Sequence, residues 1–294
     1  MDYRHCTLCP RRCGVDRTGG NLGFCRMPGE MHVARAMLHY GEEPVISGSF
    51  GTGAVFFSGC TLRCAFCQNQ EISEQGRGVP ISSKHLREIF ERLIDEGAQS
   101  IDLVTPTHFL PDILPALTPK LAVPVVYNCG GYESVEALKA LEGLIDIYLP
   151  DFKYSDNKLA AELSAAPDYF EVAGAAIREM YRQVGPAVIE DDIMQRGLLV
   201  RHLVLPGNLD NTLGVLDWLA ENLPREEILV SLMSQYVPMG RAAKLPPFDR
   251  RITQEEYDGA ASWMELVGLT RGYTQELTAA TKEWLPDFNF EGIS

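Results

Sequence analysis

Short apolar runs alternate with amphipathic stretches along most of the chain after residue 50. Runs rich in Val, Ile, Leu, Phe or Tyr predict buried strands, and stretches with apolar residues at helical spacing predict the helices between them. The clearest helix, Ser83–Asp95, repeats apolar residues at this spacing from Leu86 to Leu93. The predicted strands are 54–58, 101–104, 123–127, 145–149, 198–205 and 228–233. The other predicted helices are 110–117, 134–141, 169–184 and 209–221.

This alternation predicts parallel strands joined by crossover helices, and the near-continuous apolar runs fit strands that are covered on both faces. Six strand–helix units are fewer than the eight of a closed barrel. The predicted fold class is therefore α/β, as a partial (β/α)6 barrel, with a doubly wound sheet as the alternative. We divide the chain into a Cys-rich metal-binding extension (1–49), the partial barrel (50–240) and a C-terminal helix and tail packed on it (241–294).

The composition of the 294 residues, 46% hydrophobic and 22% charged, is that of an ordinary globular protein. The net charge of −14 argues against a nucleic-acid partner and against a basic membrane anchor. Charges or prolines interrupt every apolar run, so no membrane span is expected. The N-terminal residues lack an apolar signal core, and we expect a cytoplasmic location.

Seven of the eight cysteines lie in the first quarter of the chain, in two clusters. In a cytoplasmic protein such clusters bind metal more often than they form disulfides. Cys60, Cys64 and Cys67 have the spacing C-x3-C-x2-C and directly follow a predicted strand. Three thiolates on one loop hold three irons of a 4Fe–4S cluster and leave the fourth iron open, as at a reactive centre. A zinc site is the alternative.

With Phe66 directly before its last cysteine, this motif resembles the signature of radical S-adenosylmethionine (SAM) enzymes. The resemblance implies that Cys60, Cys64 and Cys67 hold a 4Fe–4S cluster whose open iron chelates SAM, with Phe66 against the adenine. It also implies reductive cleavage of SAM to a 5′-deoxyadenosyl radical that abstracts a hydrogen atom. An electron donor such as flavodoxin or ferredoxin is the expected partner.

Segments 56–60, 149–153 and 200–207 resemble pyruvate formate-lyase activating enzymes, which are radical SAM enzymes. This resemblance covers residues from about 50 to 240 and implies a partial barrel of radical SAM type. An N-terminal cysteine cluster joined to this core resembles an uncharacterised group of activating-enzyme-like proteins. The cofactor-binding residues expected at strand ends are Thr105, Thr107, Asn128, Asp151, Lys153 and Arg201.

The function implied by this resemblance is SAM cleavage that activates a glycyl radical enzyme, which would be a protein partner. Residues 104–108 stand where activating enzymes carry Gly-Gly-Glu-Pro, and this departure favours radical modification of a peptide or small molecule instead. A non-catalytic iron–sulfur or zinc protein for electron transfer or binding is the alternative from another class. The polar residues at the strand ends argue against that alternative.

The second cluster, Cys6, Cys9, Cys13 and Cys25, lies in a segment with little apolar content. Such a segment cannot bury a core of its own and gains order by closing around a metal. Four thiolates suit structural zinc or a second iron–sulfur cluster, and their spacing leaves both open.

Overall fold

The computed structural model describes residues 2–277 and 287–293, which contain ten strands and nine α-helices. The strands are β1 (Met31–His39), β2 (Thr52–Phe57), β3 (Val79–Ile81), β4 (Ile101–Val104), β5 (Val125–Cys129), β6 (Ile147–Pro150), β7 (Val188–Glu190), β8 (Ile193–Leu203), β9 (Leu229–Met233) and β10 (Gly272–Thr274). The helices are α1 (Pro44–Ser47), α2 (Gln70–Ser73), α3 (Ser83–Asp95), α4 (Leu110–Ala116), α5 (Val135–Lys139), α6 (Asn157–Ser164), α7 (Tyr169–Val184), α8 (Leu209–Asn222) and α9 (Gln254–Leu266).

One sheet forms the centre of the molecule, in the order β10-β9-β8-β6-β5-β4-β2-β1-β3. Neighbours from β2 to β9 pair in parallel, and β10 extends this parallel set beyond β9. At the other edge, β1 pairs antiparallel with both β2 and β3. The six predicted strands are therefore six of the seven parallel strands, namely β2, β4, β5, β6, β8 and β9, and the predicted partial (β/α)6 barrel is confirmed.

The hydrophobic pattern locates the longer helices accurately because each has one strongly apolar face. The bounds of α3 and α7 coincide with those predicted. Ser82 and Ser134 each accept a hydrogen bond from the third backbone amide that follows. The short elements β3, β7 and α2 carry too few residues to show a period, and the sequence does not predict them.

Two layers of apolar side chains follow from the alternation of the strands. Tyr127 and Tyr148 face the helices and belong to the main core. Their neighbours Val126 and Ile147 face the inside of the barrel, where they pack against Ile46 of α1. Ser100, the residue before β4, donates to the carbonyl of Ile46, which places α1 at the end of the barrel where the strands begin. The helix α1 therefore closes this end.

Residues 2–30 contain no helix or strand, and arginines join them to the barrel. Arg17 is 1% exposed and donates to the carbonyls of Met27, Pro28 and His108. The division at residue 49 stays a prediction, but the structure adds that β1 and α1 from the N-terminal part belong to the sheet and to its closed end. In the described parts of the chain no helix is long and apolar enough to cross a membrane.

Candidate active site

The loop that carries Cys60, Cys64 and Cys67 leaves β2 at the end of the barrel opposite α1, and we call it the cluster loop (58–70). Its three cysteines line one cavity together with residues from the ends of the parallel strands. This central cavity brings together nine of the ten residues predicted for the cluster and SAM: Cys60, Cys64, Phe66, Cys67, Thr105, Asn128, Asp151, Lys153 and Arg201. The carboxyl ends of parallel strands are where ligands bind in such barrels.

Each sulfur of the cluster loop has a hydrogen-bond partner. The amide of Leu62 donates to Cys60 Sγ at 3.3 Å, and Ser164 Oγ donates to Cys64 Sγ at 3.0 Å. Cys67 Sγ lies 3.2 Å from the Ser73 hydroxyl. Hydrogen bonds of this kind stabilise thiolate ligands and tune iron–sulfur clusters.

Burial opposes ionisation of two thiols in this loop. Burial and the neighbouring thiols raise the pKa of Cys60 well above its usual value, and they raise the pKa of Cys67 to about 11. Positively charged iron shifts this balance, because metal coordination deprotonates a thiol outright. In the part of the chain that the structure describes, no three His, Cys, Asp or Glu side chains converge to chelate a single ion. Each thiolate of a 4Fe–4S cluster binds a different iron, and the three thiols fit that group.

We expect the Ser164→Ala variant to lower the reduction potential of the cluster by tens of millivolts. A hydrogen bond to a thiolate ligand stabilises the more negative reduced state, and the variant removes the one that Ser164 donates to Cys64. A redox titration followed by electron paramagnetic resonance measures the shift. The exposed Ser49 follows α1 at the closed end, so Ser49→Ala should leave the potential unchanged. Equal potentials for wild type and Ser164→Ala would contradict this role.

A network of ion pairs forms the wall of the cavity at β6 and β8. Arg201 donates from Nε to Asp151 at 2.9 Å, from Nη1 to Glu42 at 2.8 Å and from Nη2 to Asn128 Oδ1 at 2.7 Å. The second carboxylate oxygen of Asp151 accepts from the ammonium of Lys153. Burial opposes the charge on Asp151, but Arg201 and Lys153 outweigh it and hold the pKa of Asp151 below its usual value.

Glu42 is the member of this network that the sequence does not predict. It follows β1, far from every motif in the chain, and its side chain is 12% exposed. Its second oxygen accepts from Asn128 Nδ2 at 3.0 Å, so one carboxylate orders both Asn128 and Arg201. No motif in the sequence marks Glu42 as a partner of Arg201.

The comparisons with known proteins agree with this geometry. Residues 47–109, which include the cluster loop, match the model of the 4Fe–4S single cluster domain. Uncharacterized protein MJ0674 from Methanocaldococcus jannaschii is 32% identical over 278 residues, which are 91% of this chain and 76% of that protein. The chain belongs to the MJ0674 family.

A solved structure shares the fold of this MJ0674 family member, and others resemble it more distantly. Streptococcus suis SuiB bound to precursor peptide SuiA superposes with a TM-score of 0.50 at 16% identity, over 75% of this chain and 48% of SuiB. SuiB bound to S-adenosylmethionine gives 0.49 at 15% identity, over 75% and 49%. A domain of a pyruvate-formate lyase-activating enzyme from Bacteroides vulgatus gives 0.39 at 15% identity, over 66% and 91%. The chain spans about half the length of SuiB, and the likeness to SuiB bound to precursor peptide shows a shared fold.

Within this MJ0674 family member, the two threonines predicted to bind SAM lie in different surroundings. Thr105 lines the cavity with a φ of 60°, a left-handed conformation that is rare for a β-branched residue. Strained backbone of this kind is concentrated at functional sites. Thr107 is buried away from the cavity, where its hydroxyl donates to Glu133 at 2.7 Å beside Tyr127. The structure therefore does not bring Thr107 to the other predicted residues.

The Glu133 carboxyl makes stability depend on pH. Burial raises its pKa to about 7 from the ordinary 4.5. Its stabilising contribution is complete below about pH 4.5 and is lost as pH rises through 7, because the unfolded chain ionises first. We expect Glu133→Gln to lack this loss and to gain about 3 kcal/mol relative to wild type between pH 4.5 and 8.

Urea unfolding at pH 5 and pH 8 measures this difference. Glu162 is exposed on α6, and Glu162→Gln should change the difference by less than about 0.5 kcal/mol. If the free energy of unfolding changes equally between pH 5 and pH 8 in Glu133→Gln and in wild type, Glu133 has no role in the pH dependence.

Proposed function

We propose that this protein is a radical SAM enzyme that cleaves SAM reductively and uses the product to abstract a hydrogen atom from a substrate. The central cavity carries this proposal, because three cysteines with hydrogen-bonded sulfurs face the network of Asp151, Lys153 and Arg201 across it. A pure electron carrier has no need for a polar wall of this kind opposite its cluster.

When bound, a reduced 4Fe–4S cluster supplies the electron that breaks a carbon–sulfur bond of SAM, giving methionine and a 5′-deoxyadenosyl radical. The chain itself binds and orients. The amino, carboxylate and hydroxyl groups of SAM require both donors and acceptors, and Lys153, Asp151 and Thr105 present them in one cavity. Phe66 and Tyr236, with ring centroids 5.7 Å apart, offer flat apolar surface to the adenine.

The proposal is tested with anaerobic protein reconstituted with iron and sulfide, reduced with dithionite and incubated with SAM. We expect 5′-deoxyadenosine and methionine in chromatography, and neither product when dithionite is omitted. A reducible cluster that binds SAM without releasing either product, even after a screen of peptide substrates, would favour the non-catalytic iron–sulfur protein.

For the substrate we propose a polypeptide, either a glycyl radical enzyme or a precursor peptide. The resemblance to activating enzymes at 149–153 and 200–207 supports the first. The absence of Gly-Gly-Glu-Pro from 104–108 supports the second, and SuiB, which shares the fold, is bound to a precursor peptide. Two measurements distinguish these substrates. Electron paramagnetic resonance of freeze-quenched samples detects a glycyl radical that persists on a partner protein, and mass spectrometry detects the changed mass of a modified peptide. The proposed electron donor is a flavodoxin or ferredoxin, and small-molecule modification remains the alternative.

A further inference from the structure

All four cysteines of the first 30 residues lie in one segment outside the barrel. Cys6, Cys9 and Cys25 are buried, Cys13 is half-buried, and all four are free thiols. They lie in a segment without helix or strand, so the regular backbone hydrogen bonds of secondary structure do not order it. Backbone hydrogen bonds from the amide of Cys6 to the carbonyl of Val15, and from the amide of Gly14 to the carbonyl of Cys6, close a loop over residues 6–15. We call residues 2–30 the cysteine segment.

Two of these sulfurs meet an N–H donor. The guanidinium of Arg17 donates to Cys6 at 3.8 Å, and the amide of Phe24 donates to Cys13 at 3.3 Å. A neutral thiol is a weak acceptor, whereas a metal-bound thiolate is a strong one that conserved outer donors stabilise.

Arg17 adds a second observation, because a positive charge is otherwise costly in its surroundings. Its side chain is 1% exposed, and its partners are three backbone carbonyls and one sulfur, with no carboxylate among these hydrogen-bond partners. Buried charges are normally paired. Asp112 interacts with Arg17 through space without a hydrogen bond to it. A 4Fe–4S cluster held by four thiolates carries net negative charge and supplies a second counter-charge beside Arg17.

We propose that Cys6, Cys9, Cys13 and Cys25 hold a second metal centre through four thiolates, as an iron–sulfur cluster. No three of the described His, Cys, Asp or Glu side chains converge on a single ion, whereas each thiolate of a cluster binds a different iron. The binding energy of this centre orders the cysteine segment, because a short chain with few apolar residues gains its fold from the metal. This inference does not depend on the proposed function, since it concerns a different set of cysteines.

The cysteine segment also contacts the cluster loop. Arg11 donates to the carbonyl of Thr61 at 2.9 Å and also contacts the carbonyl of Ser164, the residue that donates to Cys64. Gly59 has a φ of 82°, and a Cβ there would lie 2.8 Å from the carbonyl of Cys25. Loss of the second centre should therefore loosen the first.

The test uses the chain with Cys60, Cys64 and Cys67 replaced by alanine, so that metal bound there reports the second centre alone. Protein produced with both metals available is analysed for zinc, iron and sulfide per chain. Iron and sulfide with visible absorption support the proposal, whereas zinc without iron and sulfide contradicts it. Adding Cys9→Ala and Cys25→Ala should remove the metal, whereas adding Cys129→Ala should not.

A second measurement avoids variants that fail to fold. Alkylation of the same triple variant, mapped by mass spectrometry, should spare Cys6, Cys9, Cys13 and Cys25 until the metal is removed with a chelator. A triple variant with no bound metal, or with metal that survives Cys9→Ala and Cys25→Ala, would overturn the proposal. Alkylation of the four cysteines that is indifferent to chelator would also overturn it.

Discussion

Anaerobic protein in which Cys60, Cys64 and Cys67 are all replaced by alanine is expected to form no 5′-deoxyadenosine from SAM. The three thiolates are the proposed anchors of the cluster, and without them neither the electron nor the open iron is available. Chromatography of reduced reactions measures the product, and iron analysis should show that the triple variant loses the iron bound by the cluster loop. Circular dichroism checks that the barrel is still folded.

Replacing Arg77 with lysine provides a matched control, since this exposed residue lies outside the cavity and pairs with Glu71 on the surface. Arg77→Lys should cleave SAM at the wild-type rate. Product formation by the triple Cys→Ala variant would show that SAM cleavage does not require the cluster loop.

The Asp151→Asn variant is expected to be about 2 kcal/mol less stable than wild type and to cleave SAM roughly 100-fold more slowly. Asparagine keeps the shape of the side chain but removes the charge that pairs with both Arg201 and Lys153. The loss is smaller than for a fully buried pair, because the Asp151 side chain is 16% exposed. The rate falls because Lys153 and Arg201 no longer hold their positions in the cavity wall.

Urea unfolding and the rate of 5′-deoxyadenosine formation measure the two effects. The exposed pair of Lys84 and Glu88 serves as the control, and Glu88→Gln should lower stability by less than about 0.5 kcal/mol without changing the rate. A rate for Asp151→Asn equal to that of wild type would exclude this network from SAM binding.

The sequence predicted the parallel strands and the two longest barrel helices because periodicity and apolar runs are local properties. The same local patterns placed Asn128, Asp151 and Arg201 at strand ends, where the structure brings them into one cavity. Thr107 was predicted with them, but the 3-10 turn Thr107–Phe109 directs it to Glu133 instead.

Glu42 could not be predicted in the same way, because its place depends on how the chain before β2 passes beneath the barrel. Its partners Asn128 and Arg201 are distant in sequence, and no motif or period connects them. β1 and α1 were placed in the N-terminal extension for the same reason: their pairing and packing partners lie beyond residue 50.

The contact between Glu42 and Arg201 spans 159 residues and has a consequence for synthesis. At about 5–20 residues per second, a ribosome that has added Glu42 needs roughly 8–30 s to reach Arg201. During that interval the N-terminal cysteines have already been synthesised, but the wall of the cavity has not. Iron delivered early therefore meets cysteines without their barrel, and assembly of the central cluster belongs after β8 has been released.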